Sequence, residues 1–255
     1  AAESSMGVEI GDLDGDGLMD IFLTHLDEQT NTYYRNLGGG MFLDNTDRSG
    51  LGPPSLPWVS FGTVLFDHDN DGDLDIFVTN GHIIDNIELF DSTRAHKQPS
   101  QLYDNVGKGQ FVEISEVLEI DDRLVGRGAV GADLDRDGDL DLAFMQNDGE
   151  TLVLENRRQA PQLSSLGVRL RGSRSNLQGF GARLEIEADS RRQVRLAYSS
   201  TSYASQAPDE YYFGLSEAAH ADTLLVTWPT GRAQRFTTLP AGFVYTLYEK
   251  SGAGD

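Results

Sequence analysis

Three times in 255 residues the chain sets aspartates at alternating positions and then runs straight into a β-prone segment. The copies are GDLDGDGLMDIFLTH from Gly11, FDHDNDGDLDIFVTNGH from Phe66 and ADLDRDGDLDLAFMQ from Ala132. Carboxylates so spaced repel one another in a compact loop unless a cation sits between them. Alignment on Asp12, Asp67 and Asp133 gives periods of 55 and 66 residues, long enough for several strands in each unit.

More than the loop recurs. Each is preceded by a Gly-punctuated strand (SMGVEIGDLD, SFGTVLFDHD, GRGAVGADLD) and followed by a short apolar, β-branched one (DIFLTHL, DIFVTN, DLAFMQ). The first two units continue with strand, Gly-rich turn and strand, TYYRNLGGGMFLDNT and QLYDNVGKGQFVEIS, while the third keeps only TLVLENRR. The pattern predicts consecutive antiparallel sheets of about four strands each, up to about Asn156, with no helical periodicity of comparable length.

With Asp12 as position 1, carboxylates stand at positions 1, 3, 5 and 9 and a glycine at position 6, in all three copies. Curling such a loop converges the side chains, the glycine permits the sharp turn, and the carbonyl at position 7 (Leu18, Asp73, Asp139) turns inward. An all-oxygen, carboxylate-rich, flexible site favours Ca2+ over magnesium or zinc. An EF-hand would need a glutamate at position 12, where this chain has Leu23, Val78 and Phe144. A single copy could be a solvated Asp-Gly turn; three matching copies predict three calcium sites.

The loops DLDGDGLMDIFLTH and DHDNDGDLDIFVTN resemble the calcium-loop repeats known as FG-GAP or VCBS, which form the blades of integrin α-like β-propellers. Further on, LGVRLRGSRSNLQGFGARLEI, SYASQAPDEYYFGL and LLVTWPTGRAQRF resemble the ASPIC/UnbV domain, which follows such repeats in homologues of cartilage acidic protein. Together the resemblances cover about Ser5 to Glu249. They imply calcium ligands at Asp12, Asp14, Asp16 and Asp20, at Asp67, Asp69, Asp71 and Asp75, and at Asp133, Asp135, Asp137 and Asp141. The chain departs from the pattern at Ser200, Thr201 and Ser216, where glycine is commoner, and in blade number, since such propellers usually have seven blades. Three cannot close a ring in the usual way. Either further blades precede them or the three stack as an open arc.

The expected fold is therefore all-β. Blades occupy residues 1–157, a polar linker 158–166, a small β-sandwich or barrel of about six strands 167–250, and a tail 251–255. Because Met6 already lies inside a repeat, the sequence reads as the C-terminal part of something longer. In the tail domain, Ser175, Asn176, Gly179 and Gly181, with Tyr203, Ser205, Gln206, Trp228 and Gly231, offer groups suited to sugars. Gly-rich turns and a core tryptophan explain them more simply.

A formal net charge of −21 argues against nucleic acid and anionic lipid as partners; three divalent ions would leave −15. There is no cysteine, and no run approaches a membrane span or a signal peptide. The five histidines, His25, His68, His82, His96 and His220, are scattered, with His68 at position 2 of its loop expected to point outward. No nucleophile elbow or phosphate loop appears. The reading is a non-enzymatic, calcium-dependent extracellular or periplasmic binding or adhesion module with protein or carbohydrate ligands, because weak oxygen sites fill only where calcium is abundant. Two alternatives remain: a glycan-processing enzyme using Asp85 or Glu88 from the long insertion between Gly81 and Ser100, where His82 also stands, or a structural matrix component.

Overall fold

The computed structural model describes residues 3–120, 123–157 and 164–250, and they form an all-β chain. The first sheet is β1 (Ser5–Gly11), β2 (Asp20–His25), β3 (Thr32–Asn36) and β4 (Phe42–Asp44), in sequential antiparallel order. The second repeats it with β5 (Ser60–Phe66), β6 (Asp75–Asn80), β7 (Gln101–Asn105) and β8 (Phe111–Glu113). The third has three strands, β9 (Gly126–Ala132), β10 (Asp141–Gln146) and β11 (Leu152–Leu154), as the shortened third repeat foretold. Register is identical in all three: Gly11 faces Asp20, Phe66 faces Asp75 and Ala132 faces Asp141, so each aspartate loop joins the first two strands of its blade. Two one-turn helices, Thr46–Ser49 and Gly52–Ser55, lead from the first blade to the second.

The blades stack through their inner faces. Leu13, Phe22, Tyr33, Ile76, Val78 and Tyr103 bury the first junction, and Val64, Phe66, Phe77, Leu142 and Phe144 the second. At each junction a glycine lets two first strands touch: a Cβ on Gly7 would lie 2.2 Å from Phe61 O, and one on Gly62 2.3 Å from Arg127 O. A threonine latches the contact. The Thr24 hydroxyl accepts from Gly7 N and donates to Phe61 O at 2.7 Å, and Thr79 does the same between Gly62 N and Arg127 O. In the third blade the equivalent residue is Met145, which is 62% exposed.

The rest of the chain is a sandwich. Its strands are β12 (Ser164–Arg171), β13 (Arg183–Ala188), β14 (Arg191–Leu196), β15 (Ser200–Thr201), β16 (Ser205–Gln206), β17 (Glu210–Ser216), β18 (His220–Thr227), β19 (Ala233–Pro240) and β20 (Val244–Tyr248). One sheet runs β17-β12-β20 and the other β14-β13-β18-β19. Leu166, Val168 and Phe213 of the first pack against Leu184, Ile186 and Leu224 of the second, with Trp228 fully buried. β12 begins inside the segment read as linker, and the rest of that linker, 158–163, lies outside the described residues, as does the tail 251–255. The domain has nine strands against the six or so expected; two of them, β15 and β16, are only two residues long.

β20 pairs in parallel with β12, an arrangement the sequence does not announce. It is fastened by Glu249, whose carboxylate accepts from Ser173, Arg174 and Ser175 N–H at 2.7–3.0 Å and from the Thr230 hydroxyl. Burial opposes the charge, but these donors prevail and hold the carboxyl down to about 2. A depressed carboxylate stabilises above its unfolded value and loses that contribution as pH falls. Glu249→Gln is expected to cost about 1–2 kcal/mol at pH 7, after screening near the surface, and little near pH 2. Urea unfolding of both proteins at the two pH values checks this.

Candidate metal centres

Each aspartate loop is wound by its own carboxylates. In the first, Asp12 accepts from Gly17 N at 2.9 Å, Asp14 from Asp16 N and Asp16 from Leu18 N. The second repeats the set with Asp67 on Gly72 N, Asp69 on Asp71 N and Asp71 on Asp73 N. In the third, Asp135 and Asp137 accept from Asp137 N and Asp139 N. The position-6 glycines have φ of +87°, +102° and +96°, which a side chain adopts only under strain.

The winding gathers three acidic clusters: Asp12, Asp14 and Asp20; Asp67, Asp69 and Asp71; and Asp133, Asp135 and Asp137. Within each, the oxygens approach to within 4.8 Å of one another. Asp16 turns instead toward Arg35, whose guanidinium also lies beside Asp14. Two buried oxygens, Asp12 Oδ1 and Asp133 Oδ1, have no hydrogen-bond donor, and Asp14 Oδ2 is paired with the Arg35 guanidinium. Burial pushes Asp12, Asp20 and Asp71 up to about 6, and burial with the neighbouring Asp75 carries Asp67 well above its usual range. Crowded, buried oxygen acceptors without donors are the donor set a hard divalent cation suits.

The position-9 aspartates have a second role that the sequence reading missed. One oxygen of Asp20 accepts from Leu13 N and the other from Asn36 N; Asp75 does this with His68 N and Asn105 N, and Asp141 with Leu134 N and Asn156 N, all between 2.7 and 3.0 Å. Each carboxylate thus ties the start of its loop to an asparagine at or just past the end of the third strand. The amides of Asn105 and Asn156 reach back to Leu13 O and His68 O, joining each loop to that of the blade before it. The recurring Asn in TYYRN, QLYDN and LVLEN was the available signal. A carboxylate oxygen that accepts one N–H keeps a lone pair for a metal.

His68 does not point outward. Its Nδ1 lies 2.8 Å from Asp75 Oδ2; burial disfavours the cation, but the Asp75 hydrogen bond and the nearby Asp69 and Asp104 charges raise it to about 9. Two other histidines also serve local structure: His25 is buried between the Ser5 hydroxyl and Thr30 O, and His82 Nδ1 accepts from Ile84 N. Glu88 is exposed and held down by the His96 N–H, the reverse of the raised value a general acid needs.

The sandwich rests on these loops. Arg183 donates to Gly17 O, Ser216 N to Asn70 O, the Ser216 hydroxyl and Arg191 to Asp71 O, and the Ser165 hydroxyl to Gly138 O. Tyr212 donates to Asp133 Oδ2 at 2.9 Å. Between the domains lies a cavity of about 240 Å³ lined by Val64, Arg195, Tyr198, Tyr211 and Glu9, whose carboxyl burial raises to about 8. Nearby, the β15–β16 turn reaches the first strand of every blade. Ser202 bridges Val8 and accepts from Thr63 N, Tyr203 packs edge-on against Phe61, and Ser205 fills the space beside Gly128.

The residues considered for a sugar groove are engaged in local structure instead. Ser175 holds Glu249, Asn176 caps its own turn through Phe180, Trp228 is core, and Tyr203 and Ser205 face the blades. Residues 5–78 match the FG-GAP-like repeat family, and residues 172–254 match the family described as ASPIC and UnbV, in the order expected. No curated protein matches the chain.

Proposed function

We propose that this run of FG-GAP-like blades followed by an ASPIC and UnbV domain is a calcium-stabilised extracellular or periplasmic binding module without catalytic activity. The observation that carries the reading is the set of three acidic clusters, the first and third of which hold a buried oxygen without a donor, at Asp12 and Asp133. Calcium would be held by Asp12, Asp14 and Asp20, by Asp67, Asp69 and Asp71, and by Asp133, Asp135 and Asp137, and would supply the positive charge the loops lack. Asp16 and Asp141 support the coils from outside these clusters, and Asp75 stands with Asp69 and His68 in a further group whose ligand atoms lie within 4.8 Å of one another. Oxygen sites of this kind have affinities of about 10⁻⁴–10⁻³ M in extracellular modules, which supports export. Among the described residues no helix is long and apolar enough to cross a membrane.

Protein or carbohydrate ligands are expected at the end of the blades away from the loops, since the loop end is covered by the sandwich. There the 81–100 insertion exposes Ile83, Leu89 and Phe90. Calorimetric titration of chelator-stripped protein with calcium is expected to give close to three ions per chain, and two for the double variant Asp67→Asn, Asp69→Asn. No heat with the unsubstituted chain would overturn the metal reading.

A further inference from the structure

The sandwich holds the three loops mainly by their backbone carbonyls. Gly17 O and Gly138 O are at position 6, Asn70 O and Asp71 O at positions 4 and 5, and the donors are Arg183, Ser165, Ser216 and Arg191. Every one of these acceptors lies at, or within two residues before, the loop's left-handed glycine, so its direction depends on the winding of the coil. Winding crowds the carboxylates to within 4.8 Å of one another. Unneutralised, that crowding works against the shape the sandwich recognises.

We propose that calcium bound in the loops controls the docking of the C-terminal sandwich on the blades, so that loop occupancy and docking strengthen each other. The proposal rests on the calcium reading above. Some contacts pull the other way: Arg195 lies in the field of Asp12 and Asp67 and stabilises their charge without metal. Tyr212, which donates to Asp133 Oδ2, does the same in the third loop. The remaining hydrogen bonds are to carbonyls, from hydroxyl, N–H and guanidinium donors, and respond to loop shape more than to loop charge. Close fit adds to this. A Cβ on Gly214 would lie 2.1 Å from Asp67 Oδ2 and 2.5 Å from Asn70 Cα, so a loop that relaxes by even an ångström meets the β17 backbone. Undocking would also expose Glu9, which is buried beside the cavity.

Two measurements on the full chain test this. Hydrogen exchange followed by mass spectrometry, with calcium and then with chelator, should show deprotection of residues 214–217, where Ser216 N bonds Asn70 O, while the sandwich core around Leu184 and Ile186 stays protected. Coupling is reciprocal, so the triple variant Arg183→Ala, Arg191→Ala, Ser216→Ala should bind calcium roughly tenfold more weakly than the unsubstituted chain. Equal or tighter calcium binding by a variant with an intact core, or exchange at 214–217 that ignores calcium, would overturn the proposal while leaving the calcium sites standing. An unsubstituted chain that binds no calcium would overturn both. If the variant fails to fold, the exchange comparison on the unsubstituted chain decides.

Discussion

Adding calcium to the metal-free protein is expected to raise its melting temperature by about 10 °C or more. At a concentration some fifty times the dissociation constant each site contributes about 2 kcal/mol, and a domain of this size shifts by about 2–4 °C per kcal/mol. The pH dependence gives the same effect a second signature. Asp12, Asp20 and Asp71 have folded values near 6 against an ordinary 3.8, burial being the cause. A carboxylate raised in the folded state stabilises fully below its unfolded value and loses that contribution as pH climbs through its folded one. Without metal, stability should therefore decline from about pH 4 to pH 7. With calcium the carboxylates are held as anions and the decline should disappear. Melting curves at pH 4.5, 6 and 7.5, with calcium and with chelator, separate these outcomes; curves that coincide would show the loops to be turns alone.

The second large effect is expected from Gly62→Ala. The added methyl would lie 2.3 Å from Arg127 O, 2.9 Å from Ala129 N and 2.9 Å from the Thr79 hydroxyl, and the first two are backbone atoms of the neighbouring first strand. That strand can yield only by retreating. Retreat breaks the bond from Thr79 to Arg127 O and loosens the packing of Val64, Phe66 and Phe77 on Leu142 and Phe144. The cost is expected at about 3 kcal/mol, or about 6–12 °C in melting temperature. Gly128→Ala, at the same repeat position, meets a movable Ser205 hydroxyl at 2.7 Å and its closest backbone atom, Tyr203 O, only at 3.0 Å, and should cost less. Equal losses for the two variants would show that backbone approach is not what these glycines provide.

The blades were legible because their information is local. A charged loop flanked by two short apolar strands repeats in the sequence, and loop, strand order and the shortened third unit follow from neighbours a few residues apart. What escaped the reading depends on residues far apart in the chain. The pairing of β12 with β20 joins segments more than seventy residues apart, with Gly167 opposite Val244. The contact of Tyr212 with Asp133 spans 79 residues, and no pattern around either predicts it. His68 illustrates a different failure. Position 2 points outward in a generic loop, but here the imidazole finds Asp75 within hydrogen-bond reach and turns in. The aspartates at position 9 were legible as acid but not as braces, because their partners are backbone N–H groups and the recurring asparagine that marks one of them stands 15 to 30 residues further on.

The substitution of methionine for the latch threonine in the third blade bears on how copies of this chain behave toward each other. A repeating contact whose front differs from its back is heterologous, and when it does not close it can extend from molecule to molecule into a fibre. Thr24 and Thr79 both reach forward to the next first strand, so the stack has a growing front. At that front Met145 has no hydroxyl to give, and the turn that places Ser205 beside Gly128 occupies the close-approach site. Polymerisation needs both faces of the contact, and withholding one of them is enough to prevent it.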